Sequence, residues 1–391
     1  MGQELERLLQ LMIERNASDL LLGSGRPPCV RVDGEVIPVV EEALAPERVE
    51  DLARGMMTED QYGQFEARAE LDLAYEFPHL EDRFRVNIYW QRGEVALALR
   101  RVRREIPSFE ELNLPADVLK ELALEPRGLV LVTGTAGSGK STTLAAMIDQ
   151  IVRHRRVHVV TVEDPIEFWH EDRIGIVDQR EIGLDTRSFA EALKHIVRQS
   201  PDVMLIGEMR DRETIHAALI SAETGHLVLS TLHSLDPSHT IERIINFFPL
   251  YQHPEIRLQL SQILRGVVSL RLLPCASGRG RVPAVAILRS TPTVRKLILE
   301  GHSQELSSVM RSGEHFGMCT FNQSLLELYR DGRVTLETAL GACDSPDEFK
   351  LMARGITTGS ASSRVRAPGQ PHGNTEDADR SGSETPEREG R

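Results

Sequence analysis

The residues with the plainest chemistry are Gly134 to Ser141, which read GTAGSGKS and fit the phosphate-loop pattern G-x-x-x-x-G-K-S/T. An apolar run, LVLVTG at 129–134, precedes them, and a helical stretch, STTLAAMIDQIV, follows. Glycines let successive backbone N–H groups turn inward around phosphate oxygens. The start of the following helix adds free N–H donors and a favourable dipole. In this arrangement Lys140 reaches the β- and γ-phosphates of a nucleotide, and Ser141 binds Mg²⁺ through its hydroxyl. A chance glycine-rich turn would lack the strand before it and the helix after it.

Such a loop needs acids to hold the metal and orient water. Two acidic clusters follow apolar runs. The first is VEDPIE, with Glu163, Asp164 and Glu167 at the end of 157–162. The second is Glu208, at the end of PDVMLIGE, where Gly207 stands at the position many phosphate-loop proteins give to aspartate. Metal and base duties are therefore shared between Glu208 and the first cluster, although carboxylates at strand ends are also commonly just solvated. His226 and His233 bracket HLVLSTLH. Their spacing is no metal signature, and neither carboxylate nor cysteine completes a set. His233 is placed to sense a γ-phosphate from the adjacent strand, whereas His154 and His158 lie among arginines and read as surface. Arg83, Arg85, Arg100, Arg101, Arg103 and Arg104 form a basic cluster. It reads either as a solvated face or as a source of an arginine for phosphate on a neighbouring subunit.

The elements that must position these groups follow from pattern. Leu5, Leu8, Leu9 and Met12 mark an amphipathic helix over 4–15. Residues 29–32 and 35–39 flank Asp33-Gly34, and 84–90 and 94–100 flank Arg92-Gly93, two hairpin signals. A small α+β domain is thus expected over 1–103, then a proline-bearing connector with one short helix over 104–127. From 128 to 355 apolar runs at 129–134, 157–162, 202–207 and 226–232 alternate with helical stretches, which predicts an α/β domain with a largely parallel sheet. Residues 255–272 and 293–350 read as mainly helical, and 356–391, poor in large apolar residues, as a disordered tail.

The 391 residues carry 46 basic and 59 acidic side chains, a net charge of −13, which argues against a dedicated nucleic-acid binder. No apolar run reaches the roughly 18 residues of a membrane-spanning helix. Met1 to Arg15 lacks the apolar core of a signal peptide. Cys29, Cys275, Cys319 and Cys343 are scattered with no CxxC pair, so neither a zinc site nor a disulfide framework is indicated, and a cytoplasmic location is expected.

With these motifs in place the chain resembles the type II/type IV secretion ATPases, and within them the PilT/PilU pilus-retraction motors. The resemblance rests on ASDLLL (17–22), RVDGEV (31–36), RFRVN (83–87), GTAGSGKSTT (134–143), VEDPIEF (162–168), QREIG (179–183), PDVMLIGEMRD (201–211) and AETGHLVLSTLHS (222–234). It covers about residues 3–354 and leans to the PilU side through INFFP (245–249), TFNQSLLELYRDGRVTLETAL (320–340) and DSPDEFKLM (344–352). TVRKLI (293–298) stands where PilT-like chains carry AIRNLI, Leu21 replaces a common histidine, and Asp178 precedes Gln179-Arg180 where other residues are usual.

The resemblance implies a PAS-like N-terminal domain, a RecA-like phosphate-loop ATPase domain with a helical C-terminal part, and a homo-hexameric ring binding ATP and Mg²⁺. It makes Glu163 the general base and puts Glu208 at Mg²⁺ and its waters. The nucleotide cradle becomes Gly134, Thr135, Ala136, Gly137, Ser138, Gly139, Lys140, Ser141 and Thr142. His226 and His233 map to the family's histidine box, and Arg85 and Arg100 become candidates to reach ATP from their own or a neighbouring chain. The implied activity is ATP hydrolysis driving pilus retraction and twitching motility, through a platform protein of the inner membrane. The alternative is an accessory subunit that works only with a PilT-like paralogue. An assembly motor would bring a cysteine-rich zinc insertion and a longer N-terminal extension, and a nucleic-acid translocase a basic–aromatic stripe; the sequence shows none of these. Lys140→Ala is expected to abolish ATP turnover by the purified protein; normal turnover in that variant would sink the nucleotide assignment.

Overall fold

The computed structural model describes residues 2–355 except 33, 78, 79, 81 and 103. The tail expected over 356–391, Asp33 of the first hairpin and Arg103 of the basic cluster lie outside the described residues. Six strands, β1 (Asp19–Gly23), β2 (Cys29–Val32), β3 (Glu35–Pro38), β4 (Glu70–Glu76), β5 (Arg83–Gln91) and β6 (Glu94–Val102), form an antiparallel sheet in the order β3-β2-β1-β6-β5-β4. Three helices, α1 (Gly2–Glu14), α2 (Pro46–Arg54) and α3 (Glu59–Arg68), accompany this sheet. The helical stripe read from the sequence is the buried face of α1: Leu5, Leu8, Leu9 and Met12 are all within 5% of full burial. Both residues of the β5–β6 turn have positive φ, Arg92 at 56° and Gly93 at 82°. That is the backbone of a two-residue turn matched to strand twist. In β5 the alternation turns Phe84, Val86 and Ile88 into the core, leaving Arg83, Arg85 and Asn87 together on the opposite face.

The second sheet joins β7 (Gly128–Gly134), β8 (His158–Glu163), β9 (Ile176–Glu181), β10 (Val203–Ile206), β11 (Leu227–Leu232), β12 (Leu264–Pro274) and β13 (Arg281–Arg289) in the order β13-β12-β7-β11-β10-β8-β9. All neighbours are parallel except the β12–β13 pair. Every residue of β7 is buried. Leu129 and Leu131 enter one apolar cluster while Val130 and Val132 enter another, as expected of a strand covered on both faces. The covering helices are α4 (Ala116–Ala123), α5 (Lys140–His154), α6 (Phe189–Ile196), α7 (Arg212–Glu223), α8 (Pro237–Asn246), α9 (His253–Ile263) and α10 (Pro292–Glu300). They are followed by α11 (Leu306–Ser312), α12 (Phe321–Arg330), α13 (Leu336–Ala342) and α14 (Pro346–Ala353). Because the strands run parallel, the C-terminal ends of β7, β8, β9, β10 and β11 open on one edge, where α/β sheets bind ligands.

One expectation is corrected. The stretch 255–272 is not mainly helical: α9 stops at Ile263 and β12 begins at Leu264. Its apolar run is buried between β7 and β13, so it lacks the polar face that tells helix from strand. Inside β12, at its register shift against β7, Gly266 makes room for α4: a Cβ there would lie 2.8 Å from Leu122 Cδ2. The strands β4 and β9 carry too much charge to be read as strands from sequence, and pairing in their sheets supplies what propensity does not.

The C-terminal helices belong to the core of the second sheet. Phe349 of α14 is fully buried, in edge contact with Tyr329 at a centroid distance of 6.5 Å. Phe349→Ala is expected to lower unfolding stability by about 3–5 kcal/mol in denaturant titration; a change below about 1 kcal/mol would mean α14 does not pack as described.

Candidate active site

The phosphate loop is built by what it lacks. Gly134 leaves β7 at φ 144°, and a Cβ there would lie 2.5 Å from both Leu270 O and Ser138 Oγ. Gly137 and Gly139 hold φ 74° and 96°, and Gly139 caps α5 without a side chain. The first turn of α5 therefore presents its N–H groups unblocked. Ser138 Oγ is buried with no hydrogen-bond partner. An orphaned buried hydroxyl beside a glycine cradle fits a phosphate group. Lys140 is buried, and its Nζ donates to Gly134 O at 3.1 Å and Thr135 O at 2.8 Å. Burial lowers its pKa, while Glu208 and Glu167 oppose that shift. Thr135, Ala136 and Gly137 complete the loop, and Ser141 and Thr142 follow Lys140 in the first turn of the helix.

A cavity of about 260 Å³ opens here, lined among others by Ala136, Lys140, Ser141, Glu163, Glu208 and His233. These six come from four different strand ends. Glu163 ends β8, half-buried at the surface but closely surrounded by protein. Thr161 Oγ1 donates to its Oε1 at 2.7 Å and Gln179 Nε2 at 3.2 Å. Burial pushes its carboxyl up to about 7, against those two hydrogen bonds and with help from Glu167 and Glu181. Ser141 Oγ donates to Glu167 Oε1 at 3.1 Å. Glu208 is buried, paired with Arg210 and 3.5 Å from His233 Nε2. The His233 pKa is lowered by burial first and then by Lys140, which favours the neutral imidazole near pH 7.

The structure thus brings together Lys140, Ser141, Glu163, Glu208 and His233, all expected from sequence. It does not bring His226. That residue precedes β11, whereas His233 follows it, so the two stand at opposite ends of the strand, about 23 Å apart over seven residues at about 3.3 Å each. His226 Nδ1 instead contacts Ser221 O at 2.9 Å. Arg85 and Arg100 also lie outside the cavity of their own chain: Arg85 sits 3.7 Å from Asp72 and Arg100 2.9 Å from Asp19, on the outer face of the first sheet. Their neighbour Arg83 reaches the loop between β8 and β9, stacking over Trp169 at 5.1 Å.

Four contributors were not read from sequence. Thr161 and Gln179 hold Glu163, and Arg210 holds Glu208. His170 lines the cavity, buried with Nδ1 unpartnered, and burial lowers its pKa to about 4, so it is neutral at physiological pH. Only QREIG and GEMRD, as segments, drew attention to Gln179 and Arg210. Their partners are set by strand pairing.

The Glu163 shift carries two consequences. A base with a pKa near 7 makes turnover rise with pH through that value. Because the folded pKa lies above the unfolded one, the folded state holds an extra proton between about pH 4.5 and 7, and stability falls across that window. Glu163→Gln is expected to cut turnover about a hundredfold or more, to a small residual rate, yet stabilise the protein above pH 7 by about 1–2 kcal/mol, allowing for solvent at the cavity mouth, with the gain vanishing toward pH 4.5. Thermal melts of both proteins at pH 5 and pH 8 check this; equal differences at the two pH values would contradict it.

Comparison with known proteins agrees with this geometry. The family described as Type II/IV secretion system protein matches residues 7–315. The chain is 43% identical over 351 residues to the type IV pilus ATPase PilU of Pseudomonas aeruginosa, covering 90% of this chain and 91% of the relative. It is 40% identical over 346 residues to the type IV pilus retraction ATPase PilT of the same organism, covering 88% and 100%. The crystal structure of a pilus retraction motor PilT with bound ADP superimposes with a TM-score of 0.81 at 43% identity, covering 87% of this chain and 97% of that one. A phosphate loop at the end of a buried parallel strand, acids at the ends of β8 and β10, and this breadth of similarity place the chain in the Type II/IV secretion system protein family, as an ATPase of its PilT/PilU group.

Proposed function

We propose that the chain is a ring-forming motor that hydrolyses ATP to power or assist type IV pilus retraction. The observation that carries this reading is a carboxylate titrating near neutrality, Glu163, in one cavity with the phosphate-loop residues Lys140 and Ser141. When bound, ATP with Mg²⁺ supplies the phosphoryl group to be transferred and a cation that offsets its charge. The backbone of residues 134–142 and Lys140 bind the phosphates. Ser141 and Glu208 would hold the metal, whose charge would offset that of the phosphates. Both donors to Glu163 end on Oε1, which leaves Oε2 to take a proton from water. Neutral His233, against Glu208, turns toward the terminal phosphate. Arg85 and Arg100, placed outside their own chain's cavity, serve a neighbouring subunit's nucleotide in a homo-hexameric ring. The ring works with a PilT-like paralogue against an inner-membrane platform protein, from the cytoplasmic side. Among the described residues no helix is long and apolar enough to cross a membrane, which suits peripheral attachment.

One observation favours the accessory form of this function. The departing segment TVRKLI lies on α10, where Val294, Leu297 and Ile298 are buried while the departing residues Thr293 and Lys296 face solvent. The difference from PilT-like chains therefore includes a surface, and the catalytic cavity keeps its residues. The test is ATP hydrolysis by the purified protein, alone and mixed with a PilT-like partner, with Glu163→Gln as control. Turnover alone, lost in the control, supports an independent motor. Background turnover that rises only with the partner, and only with intact Glu163, supports the accessory form. No turnover in either setting overturns the proposal.

A further inference from the structure

Residues 164–170 run from the end of β8 back toward β9, and two side chains of β9 hold them. Glu181 Oε2 accepts from Ile166 N at 3.2 Å. Gln179 makes three contacts: its Oε1 accepts from His170 N at 2.8 Å, and its Nε2 donates to Phe168 O at 2.9 Å and to Glu163 Oε1 at 3.2 Å. The orientation of the amide follows from its partners: one is a donor and the other two are acceptors, so only one rotamer satisfies all three. Gln179 thus ties the backbone of the loop and the carboxylate of Glu163 to a single rigid strand. Resting on the reading of Glu163 as the base, we propose that Gln179 is a positioning residue for catalysis, holding Glu163 Oε1 so that the other carboxylate oxygen faces the attacking water.

The charge environment makes the effect readable. Glu167 from the loop and Glu181 from β9 oppose ionisation of Glu163, and Asp164, Lys140, Glu208 and His233 line the same cavity. The Gln179 amide and the Thr161 hydroxyl favour the ionised form. Removing the amide should therefore cost rate and move the acidic limb of the pH profile upward. Removing the hydroxyl should move the limb without releasing the loop.

The experiment measures kcat, the KM for ATP and pH–rate profiles, with a PilT-like partner present if turnover requires it. Variants are Gln179→Met, Gln179→Glu, Thr161→Val and Glu163→Gln, each checked by thermal melt. Gln179→Met is expected to lower kcat about tenfold or more with KM within about twofold, and to raise the acidic limb. Gln179→Glu, which turns a carboxylate toward Glu163, should lower kcat further. In the Glu163→Gln background, Gln179→Met should change the residual rate by less than about twofold, because the residue acts through Glu163. Full loss of that coupling, or a KM effect with unchanged kcat, overturns the positioning role while leaving Glu163 as the base. Should a variant melt early, nucleotide affinity measured below its transition decides: loss of affinity matching the loss of rate indicates a structural role and overturns the proposal. Wild-type turnover in Glu163→Gln overturns both the base assignment and the role of Gln179.

Discussion

Where β7 ends, the chain must turn within a space that admits no side chain: Gly134 is closed in by Leu270 O of β12 and Ser138 Oγ of its own loop. That close approach is possible because β12 pairs in parallel with β7 all the way to Gly134. The loop geometry, the uncapped start of α5 and the burial of Lys140 follow from this one steric limit. A side chain at Gly134 would push the loop away from β12, and the donors would no longer converge. A strand buried at every residue is thus also the strand that carries the phosphate loop, and core packing and ligand geometry are one constraint.

Around that turn the acids are arranged by strand order. Placing β11 and β10 between β7 and β8 sets Glu163 and Glu208 on the same edge as Lys140 without any of them being close in sequence. The edge is dry enough to raise a carboxylate pKa and lower a lysine pKa. Each shift on its own destabilises a charged group, and the opposite charges around the cavity offset part of that cost. A site with two such groups is held together by the cores on both faces of the sheet more than by its own ion pairs.

The first sheet meets this site through Arg83. Its guanidinium stacks over Trp169, one residue before the buried His170; burial raises the pKa of Glu181, which anchors the 164–170 loop, and Arg85 and Arg83 offset part of that rise. A change in the angle between the two sheets would bear on the loop beside Glu163. A contact of this kind that differed between two domain orientations would bias both.

Much of this was legible in the chain itself. The phosphate loop, the acids at the ends of β8 and β10, the α1 stripe and the β5–β6 turn are local demands. Each needs particular residue types within a few positions, because φ angles, helix dipoles and alternation act over that range. What the chain did not show is what depends on pairing between distant segments. The β12 run reads equally as helix until β7 and β13 enclose it, and His226 reads as a partner of His233 until β11 separates them by its own length. Gln179 is an unremarkable polar residue until the parallel pairing of β8 with β9 sets it beside Glu163. Sequence determined which groups are able to do phosphate chemistry, since that is a property of residue type and local backbone. Tertiary structure alone decided which of them meet, how dry the meeting place is and which oxygen is left free, because distance and burial belong to the packed sheet.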